Sequence, residues 1–203
     1  YYEISKFYGF KLLLKMISDK VLSLIFLISF SPLIATSMLL IYLEDGFPLF
    51  FTQDRTGWDG RRFKIYKLRS LKKNDLVKTI QVIRGDKRIT KIGKFIREFS
   101  IDELPQFYNV LIGDMSIVGP RPHPIDLDIK YAKLFNTFLK RHKSVPGLTG
   151  WAQVNGLRGA TVDPNLMKRR MQYDLWYLNN WSIFLDIYII FKTFYAVFKY
   201  KGD

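Results

Sequence analysis

VLSLIFLISFSPLIATSMLLIYL, residues 21–43, decides what kind of protein this is. The stretch carries no charge over 23 positions. As a straight helix it would reach ~35 Å, enough for a bilayer hydrocarbon core of ~30 Å. Ser31-Pro32 stands at its midpoint. A proline there removes one backbone donor and presses on the carbonyl four residues back, so a bend is expected. Basic residues flank both ends: Lys6, Lys11, Lys15 and Lys20 precede the stretch, and Arg55, Arg61, Arg62, Lys64, Lys67 and Arg69 follow it. Positive charge marks the cytoplasmic side. A re-entrant helix that bends at Ser31-Pro32 and leaves by the face it entered satisfies both flanks, whereas a kinked spanning helix satisfies one. A secretory signal fits less well, because the apolar run is long and no small-residue cleavage site follows it. Residues 1–20 read as an amphipathic helix leading in. Lys15 and Asp19 share a face of it and can pair at the membrane interface, although spacing alone equally describes an ordinary surface pair.

Outward from this segment, the composition narrows the choices. A chain of 203 residues suffices for one domain, here read as spanning 1–203 with residues 44–203 as its cytoplasmic part. A start at Tyr1 fits a processed chain or the C-terminal part of a longer protein. With no cysteine and only His123 and His142, disulfides, thiolate sites and multi-histidine metal sites are excluded or improbable. Chemistry therefore falls to carboxylates, Lys and Arg. A net charge of +14 beside 48% hydrophobic residues points to an anionic membrane surface, an anionic substrate or both. No nucleic-acid motif is present, and the basic residues flank membrane-like sequence, so nucleic acid is not an expected partner.

The apolar runs around Gly57 and Asp59-Gly60 predict a β-hairpin, with strands near 48–53 and 62–68. Residues 70–90 lack periodicity and read as a mobile connection with at most one helical turn. Apolar residues recur at helical spacing from Ile101 to Val110, and Gly113 ends the run. Two loops rich in Gly and Pro, MSIVGPRPHP and VPGLTGWAQVNGLRG, bracket a helix expected over 126–142. Residues 165–200 read as helix, with Trp and Tyr residues suited to a membrane interface, Asp186 and Lys192 interrupting its apolar face, and Lys192 and Lys199 sharing one side. A buried core helix is the competing reading of this tail.

REFSIDELPQFYN, residues 97–109, sets Asp102 and Glu103 side by side at a helix start. Ser100 with Glu103 fits an S-x-x-E capping box, and acidic first-turn residues suit a helix dipole. Pro105 sits better if Asp102 is the N-cap, so the register stays open. In either register the helix terminus favours an ionised Asp102, as a carboxylate nucleophile requires. Attack on phosphorus also needs the phosphate charge neutralised by a hard cation such as Mg²⁺ and by Lys or Arg. Glu103 is the candidate metal ligand. Lys67, Arg97 and Arg121 are candidate phosphate contacts, and the Gly119, Pro120 and Pro122 turn is a candidate nucleotide-side loop with backbone donors.

Ser31-Pro32 in an N-terminal hydrophobic segment, FKIYKLRS, SIDELPQFYNVLIGDMSIVGPRP and PGLTGWAQVNG together resemble the monotopic phosphoglycosyl transferases, also called bacterial sugar transferases. The similarity runs from about Lys15 to Tyr200. It implies an α+β, mainly helical fold: a small monotopic membrane domain with a re-entrant helix bent at Ser31-Pro32, a short hairpin and amphipathic interfacial helices, on the cytoplasmic face of the bacterial inner membrane among anionic lipids. It further implies that Asp102 attacks the β-phosphate of a UDP-sugar, that Glu103 binds Mg²⁺, that Lys67, Arg97 and Arg121 surround the phosphates, and that Lys15 and Asp19 pair beside the re-entrant helix. UMP leaves, and undecaprenyl phosphate takes the phosphosugar. The GPRPH and GWAQVNGLRG stretches look most like enzymes that transfer glucose-1-phosphate to start exopolysaccharide synthesis. Val145 departs from the family, which often has Lys or Arg there. A silent membrane-surface scaffold and a Mg²⁺-dependent phosphohydrolase are the alternative readings of the same residues.

Overall fold

The computed structural model describes residues 9–73, 85–159 and 163–199. Its first element, α1, runs Phe10–Asp45 as one helix with Pro32 inside it. Of the amphipathic helix expected over residues 1–20, residues 10–20 continue unbroken into the apolar segment, with no Gly or Pro between Phe10 and Pro32, and residues 1–8 lie outside the described residues. Side chains there take up local carbonyls: Ser31 Oγ donates to Ile28 O at 2.8 Å and Thr36 Oγ1 to Pro32 O at 2.8 Å. The helix is long and apolar enough to cross a membrane, and only 11% of its most apolar window is buried inside the protein. A core helix of a soluble domain would be mostly buried, so the exposed Leu24, Ile25, Ile28 and Leu39 mark a lipid-facing side. The opposite stripe recurs at helical spacing. Leu22, Phe26, Leu27 and Phe30 pack on one core cluster, and Ile34, Met38 and Ile41 on a second, so a single face of α1 lies against the protein on both sides of Pro32.

Both charged ends of that stripe are tied to the same body. Near the N-terminus, Lys15 Nζ reaches Asp186 Oδ2 at 2.6 Å and Asp19 at 3.6 Å, and Asp19 accepts from Ser116 Oγ at 2.6 Å. Near the C-terminus, the Glu44 carboxylate accepts from the backbone N–H groups of Lys91 and Ile92 at 2.7 and 2.9 Å, and the buried Arg69 pairs with Asp45 and donates to Gly46 O at 2.6 Å.

The expected hairpin forms from β1, Phe50–Thr56, and β2, Arg62–Leu68, paired antiparallel with Phe50 opposite Leu68. Residues 74–84 of the expected mobile connection lie outside the described residues, but its ends meet at a Leu71–Ile89 bridge. Helix α2, Lys91–Glu98, starts at Thr90, whose hydroxyl accepts from Gly93 N–H at 2.8 Å. Helix α3 covers only Gln106–Ile112 and stops at Gly113, whose φ of 94° suits glycine alone. Beyond it, the two Gly/Pro-rich stretches read as loops pair as a second small sheet, β3, Ser116–Val118, parallel to β4, Gly147–Thr149. A Cβ on Gly147 would sit 2.0 Å from Gly119 N, so glycine is required for this approach.

The helix expected over 126–142 is shorter: α4 is Ile125–Leu134, and a 3₁₀ segment follows over Phe138–Lys143. The chain turns at Phe135 so that Tyr131 and Phe138, both fully buried, share a cluster with Met167 and Met171. A short α5, Trp151–Val154, leads to α6, Pro164–Asn180, and α7, Ile183–Lys199. The single C-terminal helix expected from the sequence is thus broken at Trp181-Ser182. Ser182 Oγ accepts from Leu185 N–H at 3.1 Å and restarts the helix, and the turn lets Tyr177 Oη and Trp181 Nε1 both donate to Asp186, at 2.7 and 3.0 Å. The outer face of α7 exposes Phe184, Phe191 and Tyr195.

Removing Lys15 leaves Asp186 and Asp19 without their shared cation. Lys15→Met should cost about 3–5 kcal/mol of stability, and Lys15→Arg distinctly less, by denaturant unfolding in detergent micelles.

Candidate active site

The site assembles where the end of β2, the turn after α2, the loop after β3 and the loop after α5 converge. Ser100, at φ 57° and ψ 23°, reverses the chain after α2 and launches a 3₁₀ turn over Ile101–Glu103. The capping box expected from Ser100 and Glu103 does not form. Ser100 makes no side-chain cap, and its hydroxyl accepts from Arg158 Nη2 at 2.7 Å. The Glu103 side chain turns instead to the cations around it.

Glu103 is their hub. Its Oε1 accepts from Lys67 Nζ at 2.6 Å and from Arg121 Nη2, while Oε2 accepts from Arg121 Nη1 at 3.3 Å and lies 3.9 Å from Arg158 Nη2. Burial by itself would raise the Glu103 pKa, but the charges of Arg121, Lys67 and Arg158 hold it well below the usual carboxylate range. Asp102, 6% exposed, behaves oppositely. Among the described residues its carboxylate has no hydrogen bond or ion pair. Burial raises its pKa and the Glu103 charge adds to this, with Lys67, Arg97 and Arg121 opposing. The ionised state expected for Asp102 at a helix start is opposed by its burial, the largest influence on its pKa. Lys67 is lowered by burial, and next most affected by Glu103, which raises it.

Lys67, Arg121 and Glu103, predicted as site residues, are therefore in contact, with Asp102 beside them, and Arg97 is near enough for its charge to act on Asp102. Gly119, Pro120 and Pro122 are buried, and their backbone groups are committed. Gly119 N–H donates to Thr149 O at 2.9 Å, and Pro120 O accepts from Gly147 N–H at 2.9 Å. This turn holds the second sheet together, so Gly119 has no free donor for a nucleotide. Val145 enters through its carbonyl, which a Cβ on Gly119 would meet at 2.6 Å.

Sequence reasoning missed Arg158 and Arg55. Arg158 lies within the quoted GLRG stretch, but no spacing rule brings it to Glu103. Arg55 donates to Pro122 O at 3.1 Å and Gln53 Oε1 at 2.7 Å, and burial followed by the like charge of Arg121 pushes its pKa down to about 10. Arg121 is backed from below, since Arg141 Nη2 donates to both Arg121 O and Asp174 Oδ2 at 2.7 Å. The bond anchors the main chain of the residue that grips Glu103.

Four cations, Lys67, Arg97, Arg121 and Arg158, surround the two carboxylates Asp102 and Glu103, an excess suited to a polyphosphate ester. Among the described residues no group of three or more potential metal ligands occurs. The donor type of Asp102 and Glu103 suits a hard cation such as Mg²⁺, but both Glu103 oxygens already accept from Lys67 or Arg121.

The fold thus sets a buried carboxylate pair ringed by cations beside a long helix whose exposed apolar face fits membrane association. The chain belongs to the bacterial sugar transferase family, whose sequence model matches residues 10–200. It is 45% identical over 196 residues to the UDP-glucose:undecaprenyl-phosphate glucose-1-phosphate transferase of Escherichia coli (strain K12), covering 96% of this chain and 42% of that protein. It is 42% identical to the UDP-N-acetylgalactosamine-undecaprenyl-phosphate N-acetylgalactosaminephosphotransferase of Aeromonas hydrophila, over 81% of this chain and 38% of the relative. Exopolysaccharide production protein PSS of Rhizobium leguminosarum bv. phaseoli is 41% identical and is matched over 94% of its length, with 90% of this chain. The chain thus spans about two-fifths of the longer relatives.

The two carboxylates should respond oppositely to neutralisation at pH 7. The folded-state pKa of Asp102 is raised, so its ionised form opposes folding above the unfolded pKa of ~3.9. Asp102→Asn is expected to gain about 1 kcal/mol. The Glu103 pKa is depressed, so it stabilises above its unfolded pKa of ~4.3 and that contribution fades as pH falls towards the folded value. Glu103→Gln should lose about 3–5 kcal/mol. Denaturant unfolding of both variants in the same micelles checks the signs.

Proposed function

We propose that this chain transfers a sugar-1-phosphate, glucose-1-phosphate in the first instance, from a UDP-sugar to undecaprenyl phosphate through a covalent intermediate on Asp102. The observation that carries this reading is the division between the carboxylates: Glu103 accepts from Lys67 and Arg121, while the neighbouring Asp102 has no hydrogen bond or ion pair among the described residues and a raised proton affinity. A carboxylate freed from partners and made more basic is the better nucleophile. One Asp102 oxygen attacks the β-phosphorus of the UDP-sugar, and the bond from that phosphorus to the bridging oxygen breaks. UMP departs with the electron pair. The phosphosugar is left on Asp102 as an acyl phosphate, which a phosphate oxygen of undecaprenyl phosphate then attacks, releasing the carboxylate.

Lys67, Arg97 and Arg121 stabilise charge on the transferring phosphoryl oxygens, and Glu103 holds Lys67 and Arg121 at fixed positions. Glu103 would hold a Mg²⁺ only in exchange for one of the cations now on it, and the ion would then supply charge neutralisation for the leaving UMP. Glucose is favoured by the name of the Escherichia coli relative, while the Aeromonas relative is named for a different sugar. The name of the Rhizobium relative supports a role in exopolysaccharide production, of which loading the lipid carrier would be the initiating step.

A re-entrant α1 on the cytoplasmic face of the inner membrane is part of the same proposal, and the ties from both ends of the helix support it. Lys15 and Asp19 at one end, and Glu44 and Asp45 at the other, bind polar groups of a single protein body. Attachment of both ends to one body is what a helix that enters and leaves by the same face would show. The half-inserted arrangement supports meeting a lipid acceptor and a soluble nucleotide at one interface.

Intact-protein mass spectrometry after incubation with Mg²⁺ and UDP-glucose, without lipid, should show a hexose-phosphate adduct on wild type, none on Asp102→Asn, and loss of the adduct on adding undecaprenyl phosphate. UMP release that depends on lipid without any adduct would replace the intermediate with direct transfer. The acid limb of kcat/KM for the UDP-sugar should lie above the ordinary carboxylate range, because Asp102 must be ionised. Lys67→Met removes a charge that lowers the Asp102 pKa, and should move that limb to higher pH while reducing the rate.

A further inference from the structure

Asp102, Gln106 and Asn109 form one buried polar stripe along the segment that carries the carboxylate pair, and Gln106 and Asn109 are fully buried. The 3₁₀ turn over Ile101–Glu103 and helix α3 share a helical path. Leu104 and Pro105 between them are right-handed helical, and the N–H groups of Leu104, Phe107 and Tyr108 each donate to the carbonyl three residues back. Spacings of four and three residues therefore set the three side chains on one face. Asn109 shows what a buried amide in this stripe does when its role is structural. Its Oδ1 accepts from Tyr66 N–H at 3.1 Å and its Nδ2 donates to Lys64 O at 2.7 Å, which ties α3 to β2. Gln106 carries the same amide, yet neither its Nε2 nor its Oε1 has a hydrogen-bond partner among the described residues. Asp102, one turn before it, is the other member of the stripe whose side chain is uncommitted.

A buried amide without partners destabilises a fold, and an apolar side chain of similar volume would fill the same space without that penalty. Its presence one turn from the reacting carboxylate points to a partner met during the reaction. Asp102 is complementary to it: the amide nitrogen donates, an ionised carboxylate only accepts, and Gln and Asp four residues apart on a helical path are within pairing reach. We propose that Gln106 is a positioning residue for the nucleophile. When the sugar nucleotide is seated, Gln106 Nε2 donates to the Asp102 oxygen that does not attack, and so aims the other oxygen at the β-phosphorus. This role rests on the reading of Asp102 as the nucleophile. In the second half of the reaction the same bond acts on the leaving group. A phosphate oxygen of the acceptor bonds to phosphorus, the bond from phosphorus to Asp102 breaks, and its electron pair returns to the carboxylate, where a donor on the second oxygen stabilises the restored charge.

Gln106→Met keeps the length of the side chain and removes the amide, so stability and kinetics of the full chain in detergent micelles separate positioning from packing. Without substrate, the denaturant midpoint of Gln106→Met should rise above wild type, because two unpartnered polar atoms leave the interior. Asn109→Leu, which breaks two existing bonds, should lower it. With Mg²⁺ and UDP-glucose, formation of the hexose-phosphate adduct in Gln106→Met should slow about tenfold, and so should its discharge by undecaprenyl phosphate, with the UDP-glucose concentration for half-maximal rate unchanged. Gln106→Glu puts a second acceptor beside Asp102 in place of the donor and should be slower still. A lowered midpoint in Gln106→Met overturns the proposal, since the amide is then satisfied in the resting protein, as by a trapped water. Adduct formation and discharge at wild-type rates in Gln106→Met also overturn it, as does a Gln106→Glu as fast as wild type, which would make the amide an acceptor for a cation. In each of these cases wild type forms the adduct and the nucleophile assignment stands; a wild type that forms none sinks that assignment, and the positioning role with it.

Discussion

Asp186 is the carboxylate on which the arrangement of the helices depends. It accepts from Lys15 of α1, Tyr177 of α6 and Trp181 at the break before α7, three donors within 3.0 Å. A buried charge with fewer partners would carry a heavy desolvation penalty, so the three helices are obliged to converge on it. Convergence there brings Asp19 to Ser116 of β3 and lays Phe26 and Phe30 over Phe107 of α3. The rings sit 5.0 and 6.5 Å apart, so the membrane helix packs directly on the helix that follows the carboxylate pair.

The carboxylate pair illustrates how environment divides labour between identical groups. Asp102 and Glu103 are adjacent in the chain and both buried, yet one is held ionised by a cage of cations and the other is made more basic by desolvation. The cage is built from distant parts of the sequence: Lys67 at the end of a hairpin strand, Arg121 in the loop after β3, and Arg158 beyond α5. Arg121 is itself held by Arg141, whose guanidinium also binds Asp174, so the position of one phosphate-binding candidate is set by a second, deeper ion pair. A cation clamped at both main chain and side chain loses little freedom when substrate arrives.

The glycines of the two Gly/Pro-rich stretches serve packing before chemistry. Gly119, Gly147 and Gly150 let two backbones approach so closely that any Cβ would collide with main-chain atoms. The resulting parallel pair of short strands joins the loop bearing Arg121 to the segment that leads to Arg158, and fixes the distance between two of the cations around Glu103.

The amino-acid sequence by itself determined the lipid-facing helix, the hairpin, the stop at Gly113 and the identity of Asp102, Glu103, Lys67, Arg97 and Arg121 as site candidates. Each of these is written locally, in hydropathy, in turn residues or in a contiguous motif that resembles a known family. Only the tertiary structure decided that the Ser100–Glu103 pattern is not a capping box, that the C-terminal helix breaks at Trp181, that β3 and β4 pair, and that Arg55 and Arg158 join the site. Those outcomes turn on buried charge and close backbone contact between segments far apart in the chain. A capping pattern describes what Glu103 could do with its nearest neighbours, whereas the stronger attraction of Lys67 and Arg121 exists only once folding has brought them to it.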